Sequence, residues 1–165
     1  MTVVSNASPL IALARIGYFD LLPKLFGRML VTPEVYNEVV IAGAGMPGAK
    51  EVSRADWIEV TAVRNAAALR LAIRETGLGA GELSAILLAR ETGADLVLMD
   101  EWKARRYAAA QELTVIGCIG ILESLFRAGY LGDLREAYIW LLAEKIRIDL
   151  ATLQCSLMKF KLPPL

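Results

Sequence analysis

The sequence has no histidine among its 165 residues. That absence removes the commonest general base, the Ser-His and Cys-His nucleophile pairs and the usual zinc sites. Hydrolytic chemistry in this chain has to rest on carboxylates. Carboxylates without soft ligands select hard cations, meaning Mg²⁺, Mn²⁺ or Ca²⁺. Cysteine is scarce as well: Cys118 and Cys155 stand far apart, form no CxxC pair and read as two unrelated buried thiols of a cytosolic protein. No apolar run approaches the roughly 20 residues that cross a bilayer. Met1 to Ser5 lacks the basic region of a signal peptide, so a cytoplasmic setting without a membrane is expected. Net charge is missing too, with 18 basic against 18 acidic residues. A nucleic-acid partner must then be met by a local basic patch rather than by bulk charge. Neither a GxGxxG nor a Walker loop occurs.

What is present is apolar side chain. A hydrophobic fraction of 56% against 22% charged is enough for a real core and argues against intrinsic disorder. One domain over residues 1–165 is expected, with residues 159–165, around Pro163-Pro164, as a frayed tail. The mean hydropathy of +0.46 is high for a soluble monomer and predicts a homodimer or a bound partner. Thr2 to Ser5 reads as a strand, followed by Ser8 as helix cap and Pro9 at the first helical position. Met29-Leu30-Val31 repeats the theme, with Thr32 as cap and Pro33 opening a helix through Glu34 to Ile41. Gly43 to Gly48 reads as flexible, Trp57 to Val60 as a strand, and Ala66 to Thr76 as a helix. Glu82 opens a helix that ends near Glu91. Leu96 to Met99 is apolar without alternation, as a parallel strand covered on both faces should be. Lys103 to Glu112, Thr114 to Gly117 and Ile119 to Ala128 read as helix, strand and helix, and Asp133 and Asp149 as caps of two last helices. Strands alternating with helices predict an α/β domain, a central parallel sheet of about four to five strands between helical layers.

In such sheets ligands bind beyond the carboxyl ends of the strands, near the switch in strand order. Asn6 follows the first strand, and Asp100 with Glu101 follows the most apolar one. Glu82 falls in the first turn of its helix, where the positive helix end favours a carboxylate, and Glu38 borders an apolar helix face. Each has a plainer reading: Glu82 as a helix-start charge, Glu38 as a solvated helix residue, Asp100 as the cap of the next helix. Trp140, in an amphipathic run, reads as core or interface.

Four segments carry a resemblance. Val3-Val4-Ser5-Asn6-Ala7-Ser8-Pro9-Leu10-Ile11 and Thr32-Pro33-Glu34-Val35-Tyr36-Asn37-Glu38-Val39-Val40 come first. Gly79-Ala80-Gly81-Glu82 running into Ala85-Ile86-Leu87-Leu88-Ala89, and Ala94 through Asp100 to Arg105, follow in order. Together they resemble PIN-domain proteins, closest to a prokaryotic VapC-like branch, from Val3 to about Ile148. The resemblance implies a three-layer PIN-like fold and a Mg²⁺- or Mn²⁺-dependent endoribonuclease, with a toxin role in a toxin–antitoxin pair. Its acidic quartet maps onto Asn6, Glu38, Glu82 and Asp100, with Asn6 standing where the family has its first aspartate. Ser8 matches the small hydroxyl residue that orders the first acid's loop, and Glu101 stands where related sequences often have a second acid. On this reading Glu38, Glu82 and Asp100 are catalytic, Asn6 and Glu101 join them as metal ligands, and RNA and a cognate antitoxin are the partners. Lys103 and Arg105 are the phosphate-contact candidates, with Arg15, Arg70 and Arg74 as further cations on the rim. An amide at Asn6 still offers an oxygen to a hard cation but brings no charge. Two other readings remain open: a decayed PIN-like module that binds RNA or protein without cutting, and a receiver-like domain with Asp100 as phosphoacceptor.

Overall fold

The strands are short apolar segments, and each is followed by a cap residue that turns the chain into a helix. The computed structural model describes residues 1–165. Strand β1 (Val3–Ser5) leads into α1 (Ala7–Arg15), then a 3₁₀ turn at Phe19–Leu21 and α2 (Leu22–Phe26). Strand β2 (Met29–Val31) leads into α3 (Pro33–Tyr36), whose axis continues as a wider π-type turn over Asn37–Ala42. Next come α4 (Ala49–Arg54), β3 (Ile58–Val60), α5 (Ala66–Thr76), α6 (Ala80–Thr92) and β4 (Leu96–Leu98). Helix α7 (Trp102–Ala110), β5 (Val115–Ile116), α8 (Cys118–Arg127), α9 (Leu134–Ala143) and α10 (Leu150–Lys159) complete the chain. No helix is long and apolar enough to cross a membrane.

The five strands are all parallel, in the order β3-β2-β1-β4-β5. Val4 pairs with Leu30 on one side of β1, and Ser5 pairs with Leu98 on the other. The chain winds outward in opposite directions from β1, so the switch in strand order falls between β1 and β4. One face of the sheet, with Val3, Met29, Val31 and Leu98, packs on α1, α2, α8, α9 and α10. The opposite face, with Val4, Val97 and Met99, packs on α6 and α7. The result is the expected three-layer α/β/α architecture. Because both faces are covered, the strands lack polar alternation, as parallel sheets do.

Local chemistry explains the helix starts. Thr32 accepts the Val35 amide at 3.2 Å with Pro33 behind it, and Asp133 accepts the Glu136 amide at 2.9 Å. The expected start of α1 is corrected: the helix begins at Ala7, and Asn6 rather than Ser8 occupies the cap position. Pro9 is therefore the third helical residue, tolerated because first-turn amides have no intrahelical partner. Helix α4 was not foreseen. It starts after Gly48, which has φ +97° and donates its amide to the Glu51 side chain at 2.9 Å. The segment after Lys159, expected to fray, packs back on the domain. Phe160 meets Phe126 edge-on at 5.4 Å, and the Leu165 amide donates to Gln154 Oε1 at 3.1 Å. Helix α10 ends at Lys159, before Lys161 turns to φ +56°, and Pro163 and Pro164 beyond it leave the tail docked because Leu162 and Leu165 pack against the core.

Candidate metal centre

Asn6 leaves β1 in extended conformation and is held by its backbone, whose amide donates to the Leu98 carbonyl at 2.9 Å. That bond stitches the carboxyl ends of β1 and β4 together at the switch point. The Asn6 side chain makes no capping bond, and its Oδ1 is buried with no hydrogen-bond partner. An orphaned buried oxygen costs about 1–3 kcal/mol unless something else satisfies it. Gly81 lies directly opposite: a Cβ there would meet Glu38 Oε2 at 3.0 Å and Asn6 Oδ1 at 3.6 Å. The two oxygens thus converge on one glycine, which keeps the space between them open.

A buried hydroxyl link holds the two helices that carry this arrangement. Thr32 Oγ1 and Ser84 Oγ are 2.7 Å apart, and Ser84 also donates to the Gly81 carbonyl at 3.0 Å. This couples the start of α3, and so Glu38 on its π-type extension, to the start of α6. The Glu38 carboxyl is held above its ordinary value, first by partial desolvation and then by the charge of Glu82. Like charges within reach are what a divalent cation relieves. Glu82 itself accepts the Gly79 amide at 3.0 Å, so its helix-start role and its place beside Glu38 coexist.

Asp100 is held differently. Its Oδ1 accepts the Cys118 amide at 2.7 Å at the start of α8, and its Oδ2 lies 3.0 Å from Cys118 Sγ. Burial first, then the Asp100 charge and hydrogen bond, push the Cys118 thiol well above its usual range, so it stays a protonated donor. Arg105 folds back to give Nη1 to the Met99 carbonyl at 3.0 Å. Gly117 makes room for both, since a Cβ there would meet Arg105 Nη1 at 2.5 Å and Asp100 Oδ1 at 2.7 Å.

The structure therefore brings Asn6 and Glu38 together at Gly81, keeps the Glu82 carboxylate turned back to Gly79 but close enough to Glu38 to act on its charge, and sets Asp100 at the neighbouring strand end. Glu101 caps α7 through the Ala104 amide at 2.8 Å. Ser8 is exposed and makes no bond to Asn6; the hydroxyl beside Asn6 is that of Ser5, donating to the Asn6 carbonyl at 2.9 Å. Lys103 is exposed on α7, and Arg70 and Arg74 lie on α5. Cys155 is exposed, against the expectation that both thiols are buried, and neither is in a disulfide. Sequence reasoning missed Glu34, whose Oε2 is buried and unpartnered, and the Thr32–Ser84 and Asp100–Cys118 links. Glu34 was visible only as one turn before Glu38, and nothing in the sequence pairs Thr32 with Ser84 across 52 positions.

As placed, no three acidic or thiol side chains form a group able to hold a metal ion. The donor chemistry nonetheless fits a hard cation: an orphaned amide oxygen, a carboxylate oxygen aimed at the same gap, and a second carboxylate whose charge opposes it. A sheet of this order, with polar groups gathered at its switch point, is an α/β domain of the kind that binds ligands beyond the carboxyl ends of its strands. The sequence model of a family described as DUF3368: PIN domain matches residues 2–161, and the chain belongs to that family. No curated protein matches it. PIN domains are generally nucleases, bind RNA and typically use divalent metals.

Proposed function

We propose that this chain is an endoribonuclease dependent on Mg²⁺ or Mn²⁺, with Asn6, Glu38, Glu82 and Asp100 as the residues that hold the ion. The convergence of Asn6 Oδ1 and Glu38 Oε2 on Gly81 carries the reading, because it leaves a buried acceptor that a cation would satisfy. A bound divalent ion supplies an activated water and neutralises charge developing on the phosphate. The protein's own part is placement. The Thr32–Ser84 link fixes Gly81 and Glu82 against Glu38, and the amide and thiol of Cys118 orient Asp100. Lys103 and Arg105, one turn beyond Asp100, are the cations nearest in sequence for phosphate contact. Both cysteines are free, which suits a cytoplasmic setting. We further read the chain as the toxin of a toxin–antitoxin pair, neutralised by a cognate antitoxin protein and self-associating as a homodimer. Its high mean hydropathy and the exposed Ile139, Trp140 and Leu142 of α9 support the need for protein partners.

The test is cleavage of labelled structured and unstructured RNA in Mg²⁺ or Mn²⁺, beside an EDTA control and Asp100→Asn. Expected are metal-dependent cuts leaving a 5′-phosphate and a 3′-hydroxyl, reduced at least about 100-fold in the variant. A cyclic phosphate product would contradict the mechanism. A second reading is favoured by the amide at Asn6 together with the engagement of Asp100 by Cys118: a module that binds RNA or protein without cutting. It predicts no cleavage by folded protein in either metal.

A further inference from the structure

A cleft of about 1160 Å³ runs from Asp100 between α1, α8 and the segment joining α9 to α10. Its lining carries four acids and four cations, and they are not in the same condition. The acids are all satisfied within the protein. Asp100 is bonded to Cys118, and Glu101 caps α7. Glu123 takes Lys159 at 2.8 Å and Ser156 at 2.7 Å, and Asp149 caps α10 while accepting the Thr152 hydroxyl at 3.0 Å. The cations are not. The chain has two salt bridges, Arg28–Glu59 and Lys159–Glu123, and none involves Arg15, Arg105, Lys145 or Arg147. Arg105 alone among them is anchored, by one nitrogen on a backbone carbonyl. Arg15, Lys145 and Arg147 are exposed. The formal charge of the lining cancels, but its four cations carry no ion pair, while the oxygens of its acids are already engaged by donors of the protein.

We propose that this cleft holds the single-stranded flank of an RNA beside the scissile phosphate, with Arg15, Lys145 and Arg147 meeting its backbone. The proposal rests on the ribonuclease reading above and deepens it. Unpaired cations along a groove track phosphates, and an apolar floor accepts bases without demanding a sequence. Ile11, Ile116 and Ile119 form such a floor, and Trp102, 58% exposed at the mouth, offers an aromatic surface. The groove starts at the acid expected to act on the phosphodiester, so a strand lying in it arrives in register with the site. Lys145 and Arg147 belong to no recognisable motif, and only the return of the α9–α10 segment toward α1 places them here.

The measurement is anisotropy of a labelled unstructured RNA in EDTA, over a salt series. It compares the parent, Arg15→Ala, the Lys145→Ala/Arg147→Ala double variant and Arg90→Ala, which lies on the last turn of α6 outside the cleft. Each lost phosphate contact should lower the slope of log K against log salt by about 0.7, or about fivefold in affinity at 0.1 M salt. The double variant should therefore bind about 25-fold more weakly, with Arg90→Ala unchanged. Slopes equal across all four proteins, or no RNA binding by the parent, would overturn the proposal. So would polyglutamate binding that depends on Lys145 and Arg147 while RNA binding does not, since the cleft would then take an acidic protein segment. Cleavage is scored separately. RNA cut by a parent whose slope ignores these cations removes the groove alone, and a slope that depends on them without any cleavage removes the nuclease alone.

Discussion

Glu38 shows how the site's chemistry is written into single residues. Its carboxyl is raised by desolvation and by Glu82, so the charged form is disfavoured in the folded protein. A folded-state value above the unfolded one means stability that is full below about pH 4.5 and lost as pH rises through the raised value. Glu38→Gln should accordingly raise the melting temperature of the metal-free protein at pH 7. The gain should vanish below pH 4.5, where both forms are neutral; scanning calorimetry across that range reads it, and an equal gain at both ends would deny the electrostatic origin. Asn6 and Asp100 were legible in the sequence because a strand end leaves few places for a polar side chain to go. Neighbouring positions at a strand end share composition but not direction, and here Asp100 turns to α8 while Glu101 caps α7. Ser8 was misassigned because the chain enters α1 one residue earlier than its Ser-Pro pair suggests.

At the scale of elements, two helix starts do the positioning. Helix α6 presents Gly81 where a side chain would crowd Glu38 and come into contact with Asn6, and the Thr32–Ser84 bond keeps α3 and α6 at that spacing. Gly81→Ala separates stability from function. Alanine in the first turn of α6 should add up to about 1 kcal/mol of helix stability, while its methyl intrudes on the gap between the two oxygens. A protein with an unchanged or higher melting temperature and Mn²⁺ affinity at least about tenfold weaker, about 1.4 kcal/mol, is the expected outcome. Undiminished affinity would place the ion elsewhere. The bounds of α5, α6 and α8 to within two residues, and the starts of α9 and α10, were readable from caps and apolar spacing. The π-type turn at Asn37–Ala42 was not, because one extra residue in a turn leaves no mark on a short apolar pattern. Its end is enforced by Gly43, where a Cβ would lie 2.5 Å from the Val39 carbonyl oxygen.

The whole molecule brings together what the sequence keeps apart. Parallel pairing sets β1 beside β4 although Val3 and its partner Leu96 are 93 positions apart, and that adjacency brings the strand ends that carry Asn6 and Asp100 side by side. Strand alternation with helices made the three-layer class legible, whereas the cations of the α9–α10 segment needed the tertiary path. The exposed Ile139, Trp140 and Leu142 predict self-association, and light scattering at micromolar concentration should give the mass of a dimer; a clean monomer would leave that face to another partner. On the proposed function, the polar groups at this sheet edge gather around a hard cation. Calorimetric titration of the metal-free protein with Mn²⁺ tests it most directly. Saturable binding is expected, weakened at least about tenfold by Glu38→Gln and by Glu82→Gln and strengthened by a similar factor by Asn6→Asp, through ligand charge. No binding at millimolar Mn²⁺, or binding indifferent to all three substitutions, would contradict it.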